Sequence, residues 1–501
     1  MTTASPARLA AAPTTGGPGT ERQAPEPQAA EHPTPAHPAP AHPATRGRRL
    51  SPRAAFWLQV SIAVSFLAGS SAPTPLYAVY QARWGFSPIT TTVVFGVYAI
   101  AVLAALLVFG SLSDHVGRRP VLLVALGMQA AAMVTFAVAD GVGTLLVARV
   151  VQGLSTGAAL GAIGAGLVDL DRVRGTTANA VAPILGTAIG SGVSGLAVEF
   201  LPAPTQLIYL ALLATFVLQG AGVLLMRESA TPRPGALGSL RVRLALPADV
   251  RRPLLVAAPA LVALWSLAGF YGSLGPALVR RVAGTDSIAL GGLALFVLAG
   301  SGGLAVLAVR TVAARDAMLL GTLALAGGTA LTLLAVVYGT GLELFIGAGV
   351  AGAGFGAAFQ GTLRTIVPVA APQDRAGVLS LVLVICYLAF GLPAVLAGYL
   401  VVHGGGVGTT SREYAAAVIV LAVLALVGLA RPGRPATKTT DGASSTESPY
   451  PGGAVRGSAA VTSLSTSPAS QAPTAGPDAR IHRSSHRGLP AVNCPTCQYP
   501  A

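Results

Sequence analysis

The chain has 501 residues, 53% of them hydrophobic and only 10% charged, with a mean hydropathy of +0.67. Soluble domains carry about 25% charged residues, so a water-soluble globular protein is excluded and lipid must be the solvent for most of the chain. The net charge of +14 is explained by where the arginines sit along the chain, and no nucleic-acid partner is expected.

Residues 1–53 are rich in Pro, Ala and Thr, with His32, His37 and His42 at five-residue spacing. Such a composition buries no core and predicts a disordered tail. It has no apolar stretch of the kind a cleavable signal peptide needs. Apolar runs long enough to cross a bilayer then follow at about 54–79, 89–110, 120–138, 142–167, 176–199, 205–226, 254–279, 288–309, 317–338, 342–366, 376–402 and 413–430. The longest break, the Arg-rich stretch 227–253, divides them six and six. Residues 432–501 form a second tail of Ser, Thr, Pro and Gly. The expected fold is an all-α membrane protein. Its twelve transmembrane helices form two pseudo-symmetric six-helix bundles, 54–226 and 254–431, joined by the loop 227–253.

The arginines orient the spans. With the N-terminus inside, the inner segments hold 21 Arg and Lys residues, among them Arg118, Arg119, Arg172, Arg174, Arg251, Arg252 and Arg375. The outer loops hold four: Arg83, Arg280, Arg281 and Arg412. That excess predicts a multi-pass protein of the plasma membrane with both termini cytoplasmic. A weak internal repeat supports two halves. Spans 4 and 10 are both rich in small residues and are followed by a Gly that opens the next helix, Gly175 and Gly377. Duplicated halves are a common transporter plan, with the solute site between them.

The sharpest motif is GSLSDHVGRRP, Gly110 to Pro120, between spans 2 and 3. Gly110 and Gly117 permit a tight turn. Asp114 can pair with Arg118 and accept from a helix N-terminus. The stretch resembles the loop signature of the major facilitator superfamily at Gly110, Leu112, Ser113, Asp114, His115, Gly117, Arg118 and Arg119. The resemblance implies a conformational latch made by Gly110, Asp114, Gly117, Arg118 and Arg119 that docks on the other half. The second half has no clear copy of this loop between Arg310 and Arg315.

In span 4, Arg149, Gln152 and Gly153 resemble the R-x-x-Q-G motif of the same superfamily, which implies a role in proton coupling. Arg149 is the only basic residue deep inside a predicted span, Arg364 lying two residues from the inner end of span 10, and an Arg in a bilayer needs partners or must snorkel. Pro73 and Pro75 in span 1 lack N–H groups and free nearby carbonyls. Arg149 is expected to donate to those carbonyls or to Glu199. In span 5, Gly186, Gly190, Gly192 and Gly195 allow close helix packing. They partly resemble the antiporter signature of drug exporters, with Ser191 in place of its Pro and Ser194 in place of a Gly.

No Asp or Glu falls in the middle of a predicted span, which suits uncharged or anionic solutes over strong cations. The expected cavity lining is drawn from Gln59, Tyr77, Tyr98, Gln129, Tyr209, Trp265, Tyr271, Gln360 and Tyr387. In the tail, His482, His486, Cys494 and Cys497 have ligand-like spacing, but in inverted order and in a low-complexity setting, so no metal is assigned. There is no phosphate-binding loop and no nucleophile–base constellation, so neither a cofactor nor an enzymatic reaction is expected. One Lys against 31 Arg points to a GC-rich bacterial genome. The expected function is secondary transport of a small molecule by a monomer: proton-coupled export of drugs or hydrophobic metabolites. The alternatives are uptake or facilitated diffusion of a neutral metabolite such as a sugar, and a transport-inactive sensor or scaffold.

Overall fold

The computed structural model describes residues 49–231, 233–242 and 244–431. Among these are twelve helices long and apolar enough to cross a membrane. They are α1 (Pro52–Trp84), α2 (Pro88–Phe109), α3 (Arg118–Ala137), α4 (Val142–Leu170), α5 (Arg172–Phe200) and α6 (Pro204–Leu224), then α7 (Ala248–Ala283), α8 (Ile288–Thr311), α9 (Ala314–Tyr338), α10 (Gly341–Val369), α11 (Arg375–His403) and α12 (Gly406–Ala430). Their starts carry recognisable signals. Ser51 accepts from the Ala54 N–H before Pro52, Asp171 accepts from Val173 and Arg174, and Ser287 accepts from Leu290, each meeting an orphan donor of a first turn. Glycines in the left-handed region stop α1, α7 and α9, at Gly85, Gly284 and Gly339, as helix ends commonly require.

The helices overrun the apolar runs. α7 begins at Ala248 rather than 254, and α12 at Gly406 rather than 413. The extra turns carry Asp249, Arg251 and Arg252, or Arg412. Polar residues end an apolar run without ending a helix, because helix ends project beyond the hydrocarbon layer. Outward faces carry large apolar side chains in the open, such as Val124, Leu218, Leu255 and Leu304. A soluble protein would bury such a surface.

One buried cluster lies in α1–α6 and two lie in α7–α12. A fourth, around Tyr98, Val102 and Tyr387, joins α2 to α11. The halves meet mainly along two helix pairs, α2 with α11 and α5 with α8, with smaller contacts of α1 on α7 and α8 and of α2 on α7. In the second half α9 and α10 approach backbone to backbone. A Cβ at Gly347, Gly354 or Gly361 would strike backbone atoms of Thr332, Leu325 or Met318. On another face of α10, Gly352 and Gly356 meet the Leu298 and Gly302 carbonyls of α8. The bundle has two ends. The basic end carries the 110–117 loop and the linker after α6. The opposite end carries Gly85, Asp140, Ala203, Gly284 and Gly339.

Candidate functional site

α1 is broken at Ala72, where Pro73 and Pro75 begin a second helical segment. Pro73 has no N–H to offer the Gly69 carbonyl. Side chains from α4 and α5 take up the exposed backbone oxygens. Gln152 Nε2 donates to Gly69 O at 2.9 Å, Arg149 Nη1 to Ser70 O at 2.9 Å, and Ser194 Oγ to Ala72 O at 2.6 Å.

Arg149 is fully buried. Besides Ser70 O, its guanidinium donates to Gln152 Oε1 at 2.7 Å and to the Tyr77 hydroxyl through Nε at 2.9 Å and Nη2 at 2.5 Å. It also lies over the rings of Tyr98, Tyr77 and Phe136, 5.1, 5.5 and 5.7 Å from their centroids. These neutral acceptors and π faces stand in for a counter-ion. Arg149 thus bridges the break in α1, gripping Ser70 on one side and Tyr77 on the other. The carbonyl partner expected from the prolines is present. The pairing with Glu199 is not: that carboxylate is exposed at the far end of α5 and turns to the other half.

Glu199 Oε2 accepts from Ser287 Oγ at 3.2 Å, Ile288 N at 3.1 Å and Ala289 N at 3.3 Å. A carboxylate of the first half therefore caps the first turn of α8 in the second. Two further bonds cross between the halves: Thr74 Oγ1 to Gly272 O at 2.9 Å and Ser191 Oγ to Gly292 O at 2.8 Å. Both hydroxyls had no place in the expected site. Only Ser191, as a departure from the span 5 signature, offered a hint. The remaining crevice here, between Thr74, Tyr77 and Thr91 of the first half and Ser273, Pro276 and Arg280 of the second, holds about 40 Å³. A larger cavity of about 220 Å³ lies wholly in the first half, lined by Tyr80, Arg83, Phe136, Asp140 and Gln206.

The α5 glycines serve two neighbours. Gly186 and Gly190 sit against the Val64 and Ala68 carbonyls of α1, while Gly192 faces Phe296 and Gly195 faces Ala289 and Gly292 of α8. Gly153 packs on α2, where a Cβ would lie 2.6 Å from Ala101 Cβ and 2.8 Å from Tyr98 O.

At the basic end, Arg118 pairs with Asp114 at 2.5 Å and with Asp169 at 3.3 Å, and it donates to Ser113 Oγ at 2.7 Å. Gly117 has φ +108°, where any side chain would be strained, whereas Gly110 is right-handed helical. The carboxylate at the N-terminus of α3 is not Asp114 but Glu228 of the linker. It accepts from Arg118 N at 2.8 Å and Arg119 N at 2.9 Å. Arg119 Nη2 reaches Leu224 O. The linker also covers the loop, with Arg233 N on His115 O and Ser111 Oγ on Ser239 O. Linker residue Ala245 lies against Gly377 at the start of α11.

The expected cavity residues divide. Tyr209 stacks on Phe136 and meets the Tyr80 hydroxyl, and Tyr271 bonds Thr332. Both sit in the core of one half. Gln59 lies against Gly166 of α4, and Gln129 near Gly69 of α1, both buried without a hydrogen-bond partner. Tyr98 and Tyr387 meet across the halves. Trp265 and Gln360 are half-buried, and Trp265 stands among the rings of Phe355, Phe359, Tyr387 and Phe390. His482, His486, Cys494 and Cys497 lie outside the described residues.

Residues 58–338, more than half of the chain, match the sequence profile of the Major Facilitator Superfamily. A curated relative, the MFS-type transporter paaT of Penicillium rubens, is 34% identical over 117 residues, which span 23% of this chain and 21% of that protein. Among solved structures, a variant of the nucleoside transporter NupG superposes with a TM-score of 0.58 at 12% identity, covering 75% of this chain and 98% of that one. The human organic anion transporter MFSD10 (TETRAN) gives 0.55 at 16% identity, covering 75% and 100%. At these identities the likeness is one of fold.

Proposed function

The chain belongs to the major facilitator superfamily and is a multi-pass membrane transporter rather than an enzyme, and from that premise we propose that it exports small hydrophobic solutes by alternating access, coupled to protons. The observation that carries alternating access is the set of bonds between halves at the end opposite the basic loops: Thr74 to Gly272, Ser191 to Gly292 and Glu199 to the start of α8. They are few, and although the two hydroxyl bonds are buried where α1 and α5 meet α7 and α8, the residues that make them stand outside the main core cluster of each half, so they can break without dismantling either core. We read the basic end and both tails as cytoplasmic, the chain as a monomer in the plasma membrane, and this conformation as closed to the outside. With that end closed, Asp114 and Arg118 are bonded within their own half, free of the docking expected of the latch when the outside is open.

Arg149 is the proposed coupling residue. It ties α4 to both segments of α1, and the second segment carries Thr74 to the other half. A change in what Arg149 binds would move the contact that shuts this end. The test is solute flux in proteoliposomes with and without a pH gradient, over a panel of solutes. Flux that ignores the gradient would remove proton coupling. One observation favours a second reading, uptake or facilitated diffusion of a neutral solute: among the described residues no Asp or Glu stands in the middle of a span. The same assay separates the two.

A further inference from the structure

We propose that the aromatic cluster around Trp265 is the solute site, and that it takes flat neutral or anionic aromatic molecules bearing a hydrogen-bond acceptor, in preference to cations. This deepens the transporter reading and rests on it.

The Trp265 ring is surrounded at centroid distances of 5.4 Å by Tyr387, 5.6 Å by Phe390, 5.7 Å by Phe359 and 5.9 Å by Phe355. These rings come from α7, α10 and α11. The cluster continues into the first half, since Phe390 lies 4.8 Å from Phe95 and Tyr387 packs with Tyr98. It therefore sits where the two halves face each other. Trp265, Phe355, Phe359 and Phe390 are only half-buried, so part of their ring surface is left for a guest. Aromatic faces prefer offset or edge-on aromatic partners.

The polar content of the cluster favours an acceptor. The Trp265 indole N–H is inaccessible and has no hydrogen-bond partner. An indole nitrogen only donates, and an unpaired donor in the membrane interior is costly. A guest carbonyl, phenolate or carboxylate oxygen that displaces one of the rings covering this nitrogen would relieve it. The charge content weighs against cations. The cluster contains no carboxylate, and Tyr98, which packs with Tyr387, lies directly under the Arg149 guanidinium. A cationic guest would gain π contacts but would face that positive charge with nothing to neutralise it.

The test is binding to the purified full-length chain in detergent, measured by calorimetry with four probes of one shape: naphthalene, 2-acetonaphthone, 2-naphthoate and N-methylquinolinium. Acetonaphthone and naphthoate should bind at least tenfold more tightly than N-methylquinolinium. Trp265→Phe keeps a ring and loses the N–H. It should weaken acetonaphthone about five- to tenfold, the worth of one hydrogen bond, and leave naphthalene unchanged, which also shows that the variant is folded. Trp265→Ala should abolish binding of all four. The site is overturned if N-methylquinolinium binds as tightly as acetonaphthone, if Trp265→Phe leaves acetonaphthone unaffected, or if no probe binds. Failure of the transporter reading looks different: the probes would bind as described, while no solute of the panel crossed proteoliposome membranes.

Discussion

The cap that Glu199 places on α8 supports a quantitative prediction. One carboxylate oxygen accepts from Ser287 Oγ, Ile288 N and Ala289 N at 3.1–3.3 Å. Removing an N-terminal cap costs about 1 kcal/mol and a favourable charge at a helix start contributes about 0.3–1 kcal/mol. The site is exposed and screened by salt, so the total is about 1–2 kcal/mol. All of it exists only while α5 and α8 hold this end shut. Glu199→Ala should therefore shift the balance between closed and open forms roughly 5- to 30-fold toward the open one. Glu199→Gln keeps an acceptor oxygen but loses the charge, and should shift it roughly two- to fivefold. Ser273 is buried in the crevice at this end and bonds only within its own helix. A cysteine placed there, with Cys386, Cys494 and Cys497 replaced by serine, reports opening through its maleimide labelling rate in purified protein. The rate should rise in the order unsubstituted, Gln, Ala. Rates equal within a factor of two across the three would show that the cap does not hold this end closed.

Arg149→Lys exchanges a fork for a point charge and leaves at least one of Ser70 O, Gln152 Oε1 and the Tyr77 hydroxyl unserved. A stability loss of about 1.5–3 kcal/mol is expected, seen as a lower melting temperature in detergent, with solute flux reduced further than the fraction unfolded explains. Gly153→Ala should cost about 1–3 kcal/mol by forcing α4 away from α2, whereas Gly127→Ala, which meets nothing within 4 Å, should be neutral or stabilising in the same melting assay. Glu228→Ala removes the acceptor for the first two N–H groups of α3 and should cost about 0.5–2 kcal/mol; faster proteolysis of the linker would report it, and an unchanged cleavage rate would refute it.

The spans were legible because a bilayer admits few alternatives to long apolar helices, and the short polar breaks mark their order. The Arg149 interaction with α1 was legible for a similar reason: two prolines leave carbonyls without donors, and a buried guanidinium needs acceptors. The partners of Glu199 and Glu228 were not. Both are carboxylates at the polar edge of the bundle, where composition says only that a charge is tolerated. Each finds its helix start through an approach between distant elements, across 88–90 residues for Glu199 and 109–110 for Glu228. The serines of α5 show a further limit. Ser191 and Ser194 read as departures from a motif, yet one bonds the second half and the other bonds the break in α1. Tyr209 and Tyr271 were equally opaque, since a tyrosine in a span reads the same in a packed core as beside a solute.

The glycine seam between α9 and α10 also predicts how this chain tolerates change. At Gly347, Gly354 and Gly361 an added methyl group would meet backbone rather than a side chain that can swing aside, so the permitted alphabet there is one letter long. A saturation scan of the second half should show intolerance recurring every seven residues along α10, offset from a second set at Gly352 and Gly356 facing α8. Between those stripes the lipid-facing positions, such as Leu342, Ile346 and Val350, should accept almost any apolar residue. The second half would then vary freely on its outside while its inner faces stay fixed.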